Sequence, residues 1–152
     1  MSVKAIQFIA ILLTAFALVP GGAHLLELPN KLHIDQQSYI TVQQIYRGWA
    51  LLGITLILAI LSNIVLAIAS RGQQGPTLWA IVAALLFAVT LVVFFLWVFP
   101  VNQATSNWSI APENWQALRW QWEYSHAANA ILALLALCAV ILSVLSWIEP
   151  RP

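Results

Sequence analysis

Residues 78–99 read LWAIVAALLFAVTLVVFFLWVF and carry no charge anywhere. As an α-helix such a run extends roughly 33 Å, enough to cross the ~30 Å hydrocarbon core of a bilayer. It lacks the apolar/polar alternation of a barrel strand, so a helix is the element that satisfies its backbone in lipid. Working outward, comparable apolar runs lie at about residues 5–28, 46–70 and 124–148. Composition agrees: 62% of the 152 residues are hydrophobic and 7% are charged, with a mean hydropathy of +0.88. A water-soluble domain is excluded. The expectation is all-α: one integral membrane domain, 1–152, built as an up-down-up-down four-helix transmembrane bundle. Its helices fall at about 5–28, 46–70, 78–99 and 112–148, the last with an amphipathic start and its membrane part from about 124.

Six Lys+Arg against five Asp+Glu leave a net charge of +1, too little to hold a nucleic-acid backbone. The single cysteine, Cys138, can form no internal disulfide, and no Cys/His cluster suggests structural zinc. The first run also resembles a secretory signal, with Lys4 before it and small Gly21 and Ala23 after it. The pattern resumes at His24, Leu25, Leu26, Glu27 and Leu28 before Pro29, which favours a retained helix.

The Lys/Arg count does not orient this multi-pass protein by itself. Lys4, Arg71 and Arg151 fall on the side of the termini, and Lys31, Arg47 and Arg119 on the other. Treating Arg47 and Arg119 as site residues places both termini in the cytoplasm.

Chemistry sorts by side more cleanly. The side of the termini holds Lys4, Arg71, Glu149, Arg151 and the tight turn GQQGP at 72–76. The opposite side holds all three histidines, His24, His33 and His126, and four of the five acids, Glu27, Asp35, Glu113 and Glu123. A polar loop at 29–45 supplies part of that surface, with Gln43 and Arg47 one turn apart. The segment from Pro100 supplies the rest and leads, through Pro112, into the last helix. There Trp115, Arg119, Trp122, His126 and Asn129 follow spacings of three and four and share one stripe. Plain readings compete for some of these: interfacial anchoring for the tryptophans, an i,i+4 ion pair for Arg119 and Glu123, interhelical packing for Asn63. His126 and Asn129 lie within the span, where polar side chains usually face a cavity or the bundle interior.

His24 and Glu27 are three apart, and Glu123 and His126 repeat the spacing in reverse on an antiparallel helix. His24, Glu27, Glu123 and His126 therefore compose a candidate site for a single metal ion. A dinuclear centre lacks the further carboxylates, and haem lacks an attachment motif and the room. The expectation is no cofactor, with the single metal ion as the alternative. Phe94, Phe95, Trp97 and Phe99 offer an apolar wall, and no carboxylate chain or broken-helix pair supports a transporter.

Pro100 and Asn102, then Trp108, Trp115, Leu118, Arg119, Trp122 and His126, resemble the signature of the anthrone oxygenase-like family of small four-helix membrane proteins. The resemblance covers most of the chain in layout and is concentrated in residues 100–129. It implies an integral membrane protein, with fungal relatives that oxidise an anthrone to an anthraquinone without a classical cofactor. Asn102, Trp115, Arg119, Trp122 and His126 are the positions it carries over. The chain departs from the family at Asn129, where an arginine is expected, so neither substrate nor reaction transfers with the likeness.

Residues and resemblance together lead to an expected oxygenase-like site. A flat apolar aromatic, anthrone- or quinol-like, would enter from the bilayer and stack on Trp115, Trp122 or Trp49, with Tyr46, Asn102 and Asn129 beside it. His126 or His24 would act as base and Arg119 or Arg47 would stabilise the anion, with Glu27 and Glu123 completing the candidate catalytic set. The competing expectation is a non-catalytic module that binds a lipid or quinone, or a small subunit packed on a partner or a second copy through Ala127, Ala128 and Ala130.

Overall fold

The structure, a computed structural model, describes residues 2–148; Glu149 and Arg151 lie outside the described residues. It is all-helical among them, with four helices long and apolar enough to cross a membrane. Helix α1 spans Val3–Lys31, and its first turn is capped by Ser2, whose Oγ accepts the Ala5 amide. It runs through Pro20 and Pro29. Leu32 N–H still reaches the Leu28 carbonyl, so the helix continues past Pro29 rather than ending at 28. Lys31 thereby joins the face of His24 and Glu27.

Within the polar loop lies a short helix, α2 (Gln36–Gln43), capped by Asp35, which accepts from the Ser38 amide at 3.1 Å and its hydroxyl at 2.6 Å. Those bonds, the hydroxyl foremost, hold the exposed Asp35 carboxyl below its ordinary value. Two 3₁₀ turns, Gln44–Tyr46 and Trp49–Leu52, lead into α3 (Gly53–Ala69). Gly48 turns the corner between them at φ +89°, a conformation that side-chain-bearing residues rarely adopt.

The third span runs Gln74–Ala104 without a break. It comprises α4 (Gln74–Val93), a π-helical turn (Phe94–Val98) and α5 (Phe99–Ala104). In the wide turn the Phe99 amide reaches back to the Phe94 carbonyl. Pro100 follows immediately; it donates no amide hydrogen and crowds the preceding turn, which is where a helix widens. The fourth span, α6 (Trp115–Leu145), begins just after Pro112.

The spans form a closed ring in which α1 packs on α3 and α6, and α4 on the same two. Ala127, Ala130, Ala133, Ala136 and Ala139 line the buried side of α6. With so little side chain between them, backbones approach closely: a Cβ on Gly21 would stand 3.2 Å from the Ala130 Cα. Asn63 ties α3 to α1, donating to Thr14 Oγ1 at 2.9 Å. Only 17–33% of the apolar windows is buried, so most of their hydrophobic surface points outward, as lipid contact requires. At the terminal end, Gln73 clamps Ile148 through both its amide atoms and Ser143 bonds the Pro76 carbonyl. At the opposite end a second core forms around Tyr39, Val98, Val101, Trp108 and Trp122.

Candidate functional site

Between this second core and the mid-depth of the bundle lies a cavity of about 830 Å³. Its floor is apolar and includes Gly21, Phe87 and Ala133; its outer rim is polar, with Arg47, Asn102 and Asn107. Ile57 of α3 and Phe95 of the π-turn also line it, and both are exposed on the apolar outer surface of the spans. The space is thus amphipathic, with apolar walls reaching the bilayer and polar groups at one end.

His24 and His126 meet in its wall. Their rings stack with centroids 4.2 Å apart and planes 28° from parallel. Tyr46 lies 4.4 Å from the His24 ring, Trp49 5.8 Å and Trp122 4.9 Å, the last edge-on. Trp122 also meets His126 at 4.2 Å and is itself held by donating to Asn102 Oδ1 at 2.8 Å. Asn129, one turn deeper, lines the cavity with a buried Oδ1 that no hydrogen-bond donor of the described residues meets.

Behind the histidines runs a buried polar network centred on Lys31. Its ammonium, 4% exposed, lies 3.1 Å from Glu123 Oε1, 3.4 Å from Glu27 Oε2, 2.7 Å from Tyr46 Oη and 3.5 Å from His24 Nδ1. Glu123 is fully buried and also accepts from Tyr39 Oη at 2.9 Å and Gln43 Nε2 at 3.3 Å. Tyr46 donates to Glu27. Burial, and then the adjoining carboxylates, push both phenols above their ordinary range, so Tyr39 and Tyr46 remain protonated donors.

The α6 stripe divides by depth. Trp122, His126 and Asn129 line the cavity. Arg119 instead closes the end of α1, donating to the carbonyls of Ile34 at 2.8 Å and Lys31 at 3.4 Å. Its guanidinium stacks on Trp115 at 4.7 Å and Tyr39 at 5.4 Å. Trp115 and Arg119 therefore brace the loop cap, and the cation at the cavity is Arg47, bonded to Gln44 at 2.8 Å. Glu27 and Glu123 sit behind the wall as partners of Lys31. Tyr46, Trp49 and Asn102 line it directly.

Lys31, Tyr39, Gln43 and Trp108 complete the site without having stood out as site residues. The spacing of His24, Glu27 and Lys31, three and then four, carried the signal for Lys31, hidden by reading Pro29 as a stop. Trp108 is held differently. Ser106, Asn107 and Trp108 are all left-handed, at φ 48°, 54° and 59°. Each costs about 1–2 kcal/mol for a residue with a Cβ. Burial of the Trp108 ring against Tyr39 and Trp122, the Thr105 hydroxyl on its amide and Gln44 on its carbonyl hold the turn.

The four candidate metal ligands are His24, Glu27, Glu123 and His126. The imidazoles lie face to face, the carboxylates are turned to Lys31 and the tyrosines, and no group of three or more His, Cys, Asp or Glu suited to a metal occurs among the described residues. The chain matches no family model, no curated protein and no solved structure.

Proposed function

We propose that this membrane protein is an oxygenase-like enzyme that needs no cofactor and acts on a flat, apolar, anthrone- or quinol-like aromatic. The observation that carries the reading is the stacked His24 and His126 pair in the wall of a large aromatic cavity that reaches lipid. A substrate dissolved in the bilayer passes between Ile57 and Phe95 and lies against Trp122, Trp49 and Tyr46. A histidine takes a proton from an activated methylene, leaving an electron-rich carbanion conjugated with the ring carbonyl. Dioxygen adds to that carbon, and the hydroperoxide loses water to leave a second carbonyl. In sum a CH₂ group and O₂ become a C=O group and water, the carbon being oxidised and oxygen reduced. Arg47 at the rim supports the anion. On this reading both termini are cytoplasmic and the polar rim faces the other side.

The test is turnover of an anthrone under air by protein in nanodiscs. Wild type should form the anthraquinone, and His126→Ala should lose roughly 10²–10⁴ of the rate. Full turnover by both His24→Ala and His126→Ala sinks the proposal. Saturable quinone or lipid binding without turnover selects the second reading, a non-catalytic binding module, which the exposed Ile57 and Phe95 favour as a lateral opening.

A further inference from the structure

The two stacked histidines do not have the same surroundings. Among the described residues the ring contacts of His126 are with His24 and Trp122, and no hydrogen bond is formed to either of its ring nitrogens. His24 has the Lys31 ammonium 3.5 Å from its Nδ1. That ammonium, flanked by the Glu27 and Glu123 carboxylates at 3.4 and 3.1 Å, offers hydrogens and accepts none. An Nδ1–H directed at it would set two positive hydrogens against each other, whereas the Nδ1 lone pair is attracted. The partner of one ring nitrogen decides which nitrogen keeps the proton.

We infer that Lys31 is a positioning residue that fixes His24 with its proton on Nε2, making His24 the hydrogen-bond donor to the ligand and leaving His126 as the base. The inference rests on the proposed oxygenase reading for its chemistry but not for its tautomer. It divides the first step between two rings. The ligand C–H breaks, its proton forms an N–H bond on His126, and the electron pair spreads to the ligand's carbonyl oxygen, which accepts from His24 Nε2–H. Nothing is oxidised in that step. The ligand class follows: an enolisable aromatic ketone, with an oxygen acceptor conjugated to the acidic carbon. A simple hydrocarbon offers His24 nothing.

The arrangement also explains the investment in a buried network. Glu123 is held by Tyr39 and Gln43, and Glu27 by Tyr46, so both carboxylates beside the ammonium are themselves anchored. Lys31 itself is absent from the cavity lining and reaches the ligand's position through the lining residues it touches, His24, Tyr46 and the Trp122 ring at 5.3 Å.

The experiment is a long-range proton–nitrogen NMR correlation on the full chain with ¹⁵N-labelled histidine, assigned through His24→Gln. The expected His24 signature is a pyrrole-type shift at Nε2 and a pyridine-type shift at Nδ1. Lys31→Met should move His24 toward a mixture of the two tautomers. Lys31→Met combined with Glu123→Gln gives the same readout should the single variant fail to fold. A wild-type His24 protonated on Nδ1, or on both nitrogens, overturns the inference, as does an unchanged tautomer after loss of Lys31. In turnover, His24→Gln keeps a donor and should stay within about tenfold of wild type, while His126→Gln should lose at least a hundredfold; the reverse order overturns the division of roles. If wild type turns over no anthrone, the oxygenase reading fails while the NMR result still decides the tautomer.

Discussion

The imidazoles of His24 and His126, carried by the first and last spans, lie parallel to within 28° at 4.2 Å. Neither helix can supply that surface alone. Groups that act as one unit lose their effect together, so the double change costs little more than either single one. His24→Ala, His126→Ala and the double variant should all lose ligand-induced stabilisation to a similar degree. Thermal shift with an anthrone or quinol in detergent checks this; additive losses would mean two independent contacts.

Lys31 and Glu123, 4% and 0% exposed, form a buried ion pair. Removing one partner of such a pair strands the other charge, at about 3–5 kcal/mol, whereas an apolar replacement of both is often neutral. Lys31→Ala should therefore destabilise strongly, and Lys31→Met with Glu123→Leu should recover most of the loss. Unfolding titrations in mixed micelles measure both.

Gly21 sets the spacing of α1 and α6, since an added Cβ meets the Ala130 Cα at 3.2 Å. Gly21→Val should push the helices apart, lower the melting temperature and, because His24 lies less than one turn away, abolish ligand binding. Gly22→Ala, where an added Cβ meets nothing, is the control and should be close to neutral. Melting curves with and without ligand separate the two effects.

Tyr39 and Tyr46 both have phenols raised above their ordinary value by burial. A raised folded value means that the unfolded chain ionises first as pH climbs. The stabilisation is complete below about pH 10, the free-phenol value, and is lost as pH rises through the folded values. Stability should decline above that pH, and Tyr39→Phe with Tyr46→Phe should flatten the decline. Ultraviolet difference titration of tyrosinate should show two residues ionising only on unfolding.

The spans were legible because a bilayer imposes a length and a polarity on any helix that crosses it; 78–99 could hardly be read otherwise. His126 and Asn129 were legible as cavity residues by their cost in lipid, whereas His24 was marked by its spacing to Glu27 and Trp122 by the stripe it shares with His126. The roles of Arg119 and Lys31 were not, because both turn on where α1 stops. Periodicity shows which residues share a face but not whether a proline ends that face. Nor could spacing reveal the left-handed turn at 106–108, which tertiary packing of Trp108 maintains against local preference.

The π-turn at 94–98 makes one span answer to two different rules. Partition into lipid depends on summed hydrophobicity and is indifferent to helical phase, so losing the wide turn would leave insertion intact. The site depends on phase. The wide turn absorbs one extra residue locally, so straightening it into continuous α-helix at unchanged length would swing everything beyond it by about 100°, the angle per residue of a 3.6-residue turn, and carry Asn102 away from Trp122. The chain would still be a membrane protein, correctly threaded, with its aromatic wall out of register.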